Sequence, residues 1–186
     1  MKNIVLLFLL SSPLVSHSQT KADSISLTVP KILVLNEHQE VLLIFDNNRK
    51  AYEVPSIGVI QGPVSFKSYL DASAREFGIT YVSYRLGGLF TYVFPDKYRT
   101  LIRPYFVIQI TGYTSGRKLA NAAYKWFPLR EALQEIKYPA SASITKKILD
   151  NPKAVWSATF EEYGYTNPVD VSKIKFRVVE DFSKIN

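Results

Sequence analysis

The stretch from Tyr52 to Ile79 (YEVPSIGVIQGPVSFKSYLDASAREFGI) most constrains what this chain can fold into. It reads as a lead-in loop, one amphipathic helix and an abrupt end. Ser65 stands where an N-cap side chain accepts from the free amides of a first helical turn. Phe66, Tyr69, Leu70 and Phe77 follow at helical spacing and mark one apolar face. Gly78 is the C′ residue, able to take the left-handed backbone that ends a helix. Such a helix must pack on something, and β-rich runs flank it. Upstream, Lys31–Asn36 and Glu40–Phe45 are joined by a short polar turn and predict a hairpin. Downstream, Tyr81–Phe94 and Leu101–Thr111 are rich in Tyr, Val, Phe and Ile, as strands are. Gly87-Gly88 inside the first of these predicts a bulge or a bend. Pro128 is favourable in a first helical turn, where a missing N–H is harmless. This order predicts an α/β (α+β) sandwich, a mixed sheet with a helix on each face.

The same segment resembles the Nudix box, G-x5-E-x7-R-E-U-x-E-E-x-G-U with U apolar. Gly78-Ile79 match the closing G-U, and the alignment runs back without a gap to Val54-Pro55. Gly62 falls where the family commonly has the Gly before its first Glu. Ile57 replaces the opening Gly, Pro63 the first Glu, Asp71-Ala72 the Arg-Glu pair and Arg75 one of the paired glutamates. Glu76 alone survives. The resemblance covers about residues 28–150, the hairpin and the Trp126 strand included. It implies a Nudix-like α/β/α sandwich and a helix face whose glutamates hold Mg²⁺ or Mn²⁺ against a diphosphate. Mg²⁺ takes hard oxygen ligands, commonly one or two carboxylates plus phosphate oxygens, and the metal activates water. In this chain Ala72 and Glu76 are one turn apart on that face, and Arg75 brings positive charge beside them. Glu76 is therefore the one candidate catalytic and metal-ligating residue, and no resident cofactor is expected unless the chain is active with Mg or Mn.

The first 18 residues read differently. Lys2, the apolar run Ile4–Leu10, Pro13 and the small residues Ser16 and Ser18 have the anatomy of a secretory signal peptide cleaved after Ser18. The run is too short to span a bilayer, which takes about 20 residues, and no Cys follows it to carry a lipid. The expected organisation is a signal peptide over 1–18, a Nudix-like domain over 19–150 and a C-terminal extension over 151–186 packed on or adding to it. The expected location is secreted or periplasmic. Within the extension, Lys173–Val179 alternates polar and apolar residues and predicts a strand.

A chain without cysteine excludes thiol nucleophiles, cysteine zinc sites and dithiol redox chemistry. Of two histidines, His17 leaves with the leader and His38 sits in the predicted hairpin turn, and no G-x-S-x-G elbow accompanies it. The formal charge of +7 falls by one when Lys2 leaves. Lys97, Arg99 and Arg103 cluster between two strands and Arg117-Lys118 lie in the 112–123 loop. With Arg75 they are the candidate ligand-binding residues. If they face one cleft, an anionic ligand fits; if not, they are a solvated basic surface. No nucleic-acid motif accompanies the tyrosines, so nucleic acid is not the expected partner.

Three readings stay open. One is an exported Nudix-like pseudoenzyme that binds an anionic small molecule or an extracytoplasmic protein. Another is a diverged Mg- or Mn-dependent phosphoanhydride hydrolase that keeps Glu76 and recruits Glu53, Asp71, Asp96, Glu131 or Glu135 from around the fold. The third is a structural or surface-associated protein whose pocket is closed by Ile57 and Pro63.

Overall fold

The computed structural model describes residues 25–97, 99–114 and 119–185. The expected signal peptide, with Lys2, His17 and the expected cleavage point at Ser18, lies outside the described residues, as do Arg117 and Lys118. Elements run β1 (Ile25–Thr28), β2 (Lys31–Leu35), β3 (Val41–Asp46), β4 (Ala51–Glu53), α1 (Phe66–Phe77), β5 (Ile79–Phe94), β6 (Arg99–Tyr113), β7 (Tyr124–Phe127), α2 (Leu129–Glu135), α3 (Pro139–Asp150), β8 (Trp156–Tyr163) and β9 (Lys175–Lys184). The nine strands form one mixed sheet in the order β4-β3-β2-β6-β5-β8-β9, with β1 on β6 and β7 on β3. Strands β1 and β2 run in line along β6, Ile25 opposite Arg99 and Lys31 opposite Tyr105. Pro30 separates them, since it has no N–H to give the ladder.

Alternation along the strands sorts the core into two layers. Ile32, Val34, Leu42, Phe106 and Ile108 face α1 and meet Tyr69, Leu70 and Phe77. Leu33, Val41, Leu43, Tyr105 and Val107 face the other way, with Ala132, Ala140, Ile144 and Ile148 of α2 and α3. The predicted sandwich with helices on both faces is the observed one.

Helix α1 starts and stops where the sequence predicts. The Ser65 side chain accepts from the Ser68 amide at 3.1 Å. Gly78 has φ 73°, and a Cβ there would lie 2.8 Å from the Ala120 nitrogen, so both conformation and space require glycine. Phe66 departs from the expected apolar face: it is largely exposed and only leans on the Phe106 ring. Replacing Ser65 with alanine should cost about 1 kcal/mol of stability through the lost cap, read as a lowered urea midpoint with unchanged m-value.

The long strands are longer than expected, and the pair β5–β6 slips register near Tyr81 and between Leu86 and Gly88, the bulge the Gly pair predicts. Pro128 is the N-cap of α2, one residue before its first helical residue. The C-terminal 36 residues (151–186) supply two strands the alternation only partly announced. Strand β8 pairs parallel to β5, and β9 pairs antiparallel to β8. Every second residue of β8 is buried (Trp156, Ala158, Phe160 and Glu162), so one charged side chain enters a core row. Strand β9 forms the sheet edge. Two register irregularities and the charges of Lys175, Arg177, Glu180, Asp181 and Lys184 blunt it against pairing with other chains. Among the described residues no helix is long and apolar enough to cross a membrane.

Candidate functional site

A cavity of about 620 Å³ opens on the α2–α3 face of the sheet, between β2, β4, β6 and the loops around them. Strand alternation builds its cationic wall. Arg99, Leu101 and Arg103 share one face of β6, and all three line the cavity. Lys97 joins them from the turn between β5 and β6. Lys31, on the same parity of β2 as Leu33, and Arg49, from the β3–β4 turn, complete the basic set. Glu53, Tyr138 and Tyr165 come from β4, the start of α3 and the segment after β8.

The floor is a buried polar network. Glu53 is 7% exposed; its carboxylate accepts from its neighbour's amide, Val54 N, at 2.6 Å and from Ser141 Oγ at 3.1 Å. Lys31 Nζ donates to the Val54 carbonyl at 2.9 Å and lies 3.8 Å from Glu53 Oε1. Burial pushes the Lys31 ammonium down to about 8; the Glu53 charge opposes the fall, and Arg103 and Arg49 deepen it. Tyr105 OH donates to Ser141 Oγ at 3.3 Å. Behind this floor, Glu162 accepts from the Tyr165 hydroxyl. Burial raises its carboxyl above the usual range, against the hydrogen bond from Tyr165 and the charge of Arg103.

The rim cations are held by rings rather than by acids. Lys97 Nζ lies 4.7 Å from the centre of the Tyr165 ring and the Arg103 guanidinium 4.3 Å from that of Tyr92. Arg99 lies 5.4 Å from the Phe94 ring centre. A ring fixes a cation by its quadrupole without neutralising it. Among the described residues none of the three makes an ion pair within 4.0 Å. Arg99 Nε, Arg103 Nε and the Tyr138 hydroxyl are buried with no hydrogen-bond partner among those residues. Arg49 differs, since it pairs with Asp46 at 3.2 Å. The cavity thus gathers positive charge and spare donors, the complement of an oxyanion.

Helix α1 lies across the other face of the sheet, and neither Arg75 nor Glu76 lines the cavity. Both are exposed. The Tyr124 hydroxyl is pushed up to about 12 by burial and then by the Glu76 carboxylate. Asp71 is engaged by Lys67 at 2.7 Å and by the Tyr81 hydroxyl at 2.9 Å, which hold its carboxyl below its usual range. Glu131 and Glu135 lie on α2, Glu53 lies in the cavity, and the Asp96 side chain is outside what is described. Among the described residues no three His, Cys, Asp or Glu side chains are placed to share a metal. A single exposed carboxylate beside a guanidinium does not fit Mg²⁺ or Mn²⁺. Ile57 and Pro63 are exposed and do not line the cavity. What the helix does is pin the loop before it: the Tyr69 hydroxyl receives the Ile57 amide at 3.1 Å and donates to the Gly58 carbonyl at 3.0 Å. Ser56 and Gly58 of that loop line the cavity.

The structure therefore brings Lys97, Arg99 and Arg103 together and leaves Arg75 and Glu76 elsewhere. Sequence reasoning missed Lys31, Arg49, Tyr138 and Tyr165 as walls and Glu162 behind them. The available signal was a charge on the inward parity of an apolar strand, at Lys31 and Glu162.

No protein-family model matches the sequence, and no curated protein matches it. Solved structures do. A mutator MutT protein from Bacillus halodurans superposes with a TM-score of 0.60 at 20% identity, over 82% of this chain and 97% of that one. A NUDIX hydrolase from Nitrosomonas europaea gives 0.54 at 15% identity over 68% and 90%. The Ap4A hydrolase of C. elegans gives 0.52 at 15% over 68% and 98%. The chain has a Nudix-like fold, an α+β sandwich of mixed sheet and helices.

Proposed function

We propose that this protein is an exported, non-hydrolytic member of the Nudix-like fold that binds a small anionic ligand in the cavity on the α2–α3 face. The observation that carries this reading is the convergence there of Lys97, Arg99 and Arg103, none of them in an ion pair within 4.0 Å among the described residues. The leader-like first 18 residues support export. The scattered carboxylates and the position of Arg75 support loss of the box chemistry. A shared fold does not carry a shared function.

A second reading is favoured by the names of the superposed structures, which are hydrolases. It is a Mg- or Mn-dependent phosphoanhydride hydrolase drawing carboxylates from outside the box. One assay separates the two. The purified protein and its Glu76→Gln variant are incubated with nucleoside diphosphate and sugar-nucleotide substrates, with Mg²⁺ and with Mn²⁺. The expected result is no metal-dependent turnover by either, with unfolding free energies within about 0.5 kcal/mol of each other, as for an exposed substitution. Metal-dependent turnover that the variant loses would establish the hydrolase and sink the binding-module reading.

A further inference from the structure

We propose that the cavity ligand is a sugar carrying a phosphate or sulfate group, and that no nucleobase is recognised. This rests on the anion-binding reading above and narrows it to one chemical class. The aromatic side chains of the walls are Phe45, Phe94, Tyr138 and Tyr165. A nucleoside is normally held by stacking its base on such a ring. Here each ring already has a neighbour over it or at its edge. Lys97 stands over Tyr165, Arg99 over Phe94 and Arg49 over Tyr138 at 6.0 Å. Phe45 packs edge-on with Tyr52 at 5.0 Å. Three of the four rings already hold a cation over one face and the fourth an aromatic neighbour at its edge, so a planar base would compete with these neighbours for a stacking place.

The remaining wall is suited to hydroxyl groups. Tyr138 is 7% exposed, and its buried hydroxyl has no partner among the described residues. Glu53 offers carboxylate oxygens beside it, and Asp46, Asn47, Asn48 and Ser56 add short polar side chains. A sugar hydroxyl donates and accepts at once, so it can satisfy a tyrosine hydroxyl and a carboxylate together. The oxyanion is then drawn by the charges of Lys97, Arg99 and Arg103, which line the cavity together. A volume of about 620 Å³ falls in the range of small-molecule sites. Size alone therefore admits a nucleotide; the engaged rings are what disfavour it.

Matched ligands test this by titration calorimetry at one salt concentration. Ribose 5-phosphate and AMP share the sugar and phosphate and differ by the base. Ribose, inorganic phosphate, glucose 6-phosphate and glucose 6-sulfate complete the set, and the last two decide between the oxyanions. At least one sugar phosphate or sulfate should bind ten or more times tighter than both ribose and inorganic phosphate, and AMP should gain less than tenfold over ribose 5-phosphate. Tyr138→Phe, which removes only a hydroxyl, should weaken that sugar ligand about three- to tenfold and weaken inorganic phosphate less. A gain of tenfold or more for AMP overturns the proposal in favour of a nucleoside. Inorganic phosphate binding within tenfold of every sugar phosphate and sulfate removes the sugar and leaves only an anion site. Binding of none of these anions overturns the anion-binding reading itself, and this proposal with it.

Discussion

Replacing Glu53 with leucine should lower the unfolding free energy at pH 7 by about 3 to 5 kcal/mol, the scale seen when one partner of a buried pair is removed. Three groups lose their acceptor or counter-charge at once: Lys31 Nζ, Ser141 Oγ and the Val54 amide. Urea denaturation measures the loss. Adding Lys31→Met to the same chain should recover at least half of it, since the stranded charge is then gone. A double variant as unstable as the single one would show that the stranded ammonium is not the cause. The pH dependence follows from the same group. The Lys31 ammonium ionises at about 8 in the fold, below its ordinary 10.5. Below pH 8 both states hold the proton and the cost of burial is complete. Between about pH 8 and 10 the unfolded chain holds more protons than the folded one, so stability rises with pH. Above about 10 the buried tyrosines, whose hydroxyls burial pushes up, act in the opposite sense. In the Glu53→Leu variant the counter-charge that raises Lys31 is absent, so the rise should begin at a lower pH. A flat profile between pH 7 and 9.5 would contradict the burial of a charged Lys31.

Replacing Phe90 with alanine should cost about 3 to 5 kcal/mol, as for large aromatic truncations in a core. Phe90 is fully buried, and its ring meets Tyr105 of β6 at 5.4 Å, Phe160 of β8 at 6.3 Å and Phe182 of β9 at 6.0 Å. For a chain of this size the melting temperature should fall on the order of 10 °C. The cavity so made lies between the central strands and the C-terminal pair. Limited proteolysis should therefore cut the variant first within residues 156–184. Cleavage elsewhere, with β8 and β9 still protected, would show that these strands do not depend on this ring cluster.

Much of the frame was legible from short-range pattern. The Ser65 cap, the Tyr69, Leu70 and Phe77 face and the Gly78 stop are local, and so is the β2–β3 hairpin. The cluster of Lys97, Arg99 and Arg103 was also in view, but whether it faces one cleft was not; Arg99 and Arg103, four residues apart on β6, share a face. Strands β1 and β4 and helix α3 were not foreseen. They are short or carry mixed polarity, and their stability comes from neighbours rather than from their own periodicity. The same holds for β8, whose parallel place beside β5 is set by a partner more than sixty residues earlier.

By itself the sequence determined the α+β sandwich, the scarcity of acid on α1 and the basic run around the β5–β6 turn. Only the tertiary structure decided that this run meets Lys31, Glu53, Tyr138 and Tyr165 around one cavity, and that Arg75 and Glu76 stand apart on the opposite face. The reason is range. A helix or strand is written in residues a few positions apart, whereas the Ser141–Glu53 hydrogen bond joins groups 88 residues apart. Which side chains share a cavity depends on strand order and on the face each residue presents, and both arise only when the layers close.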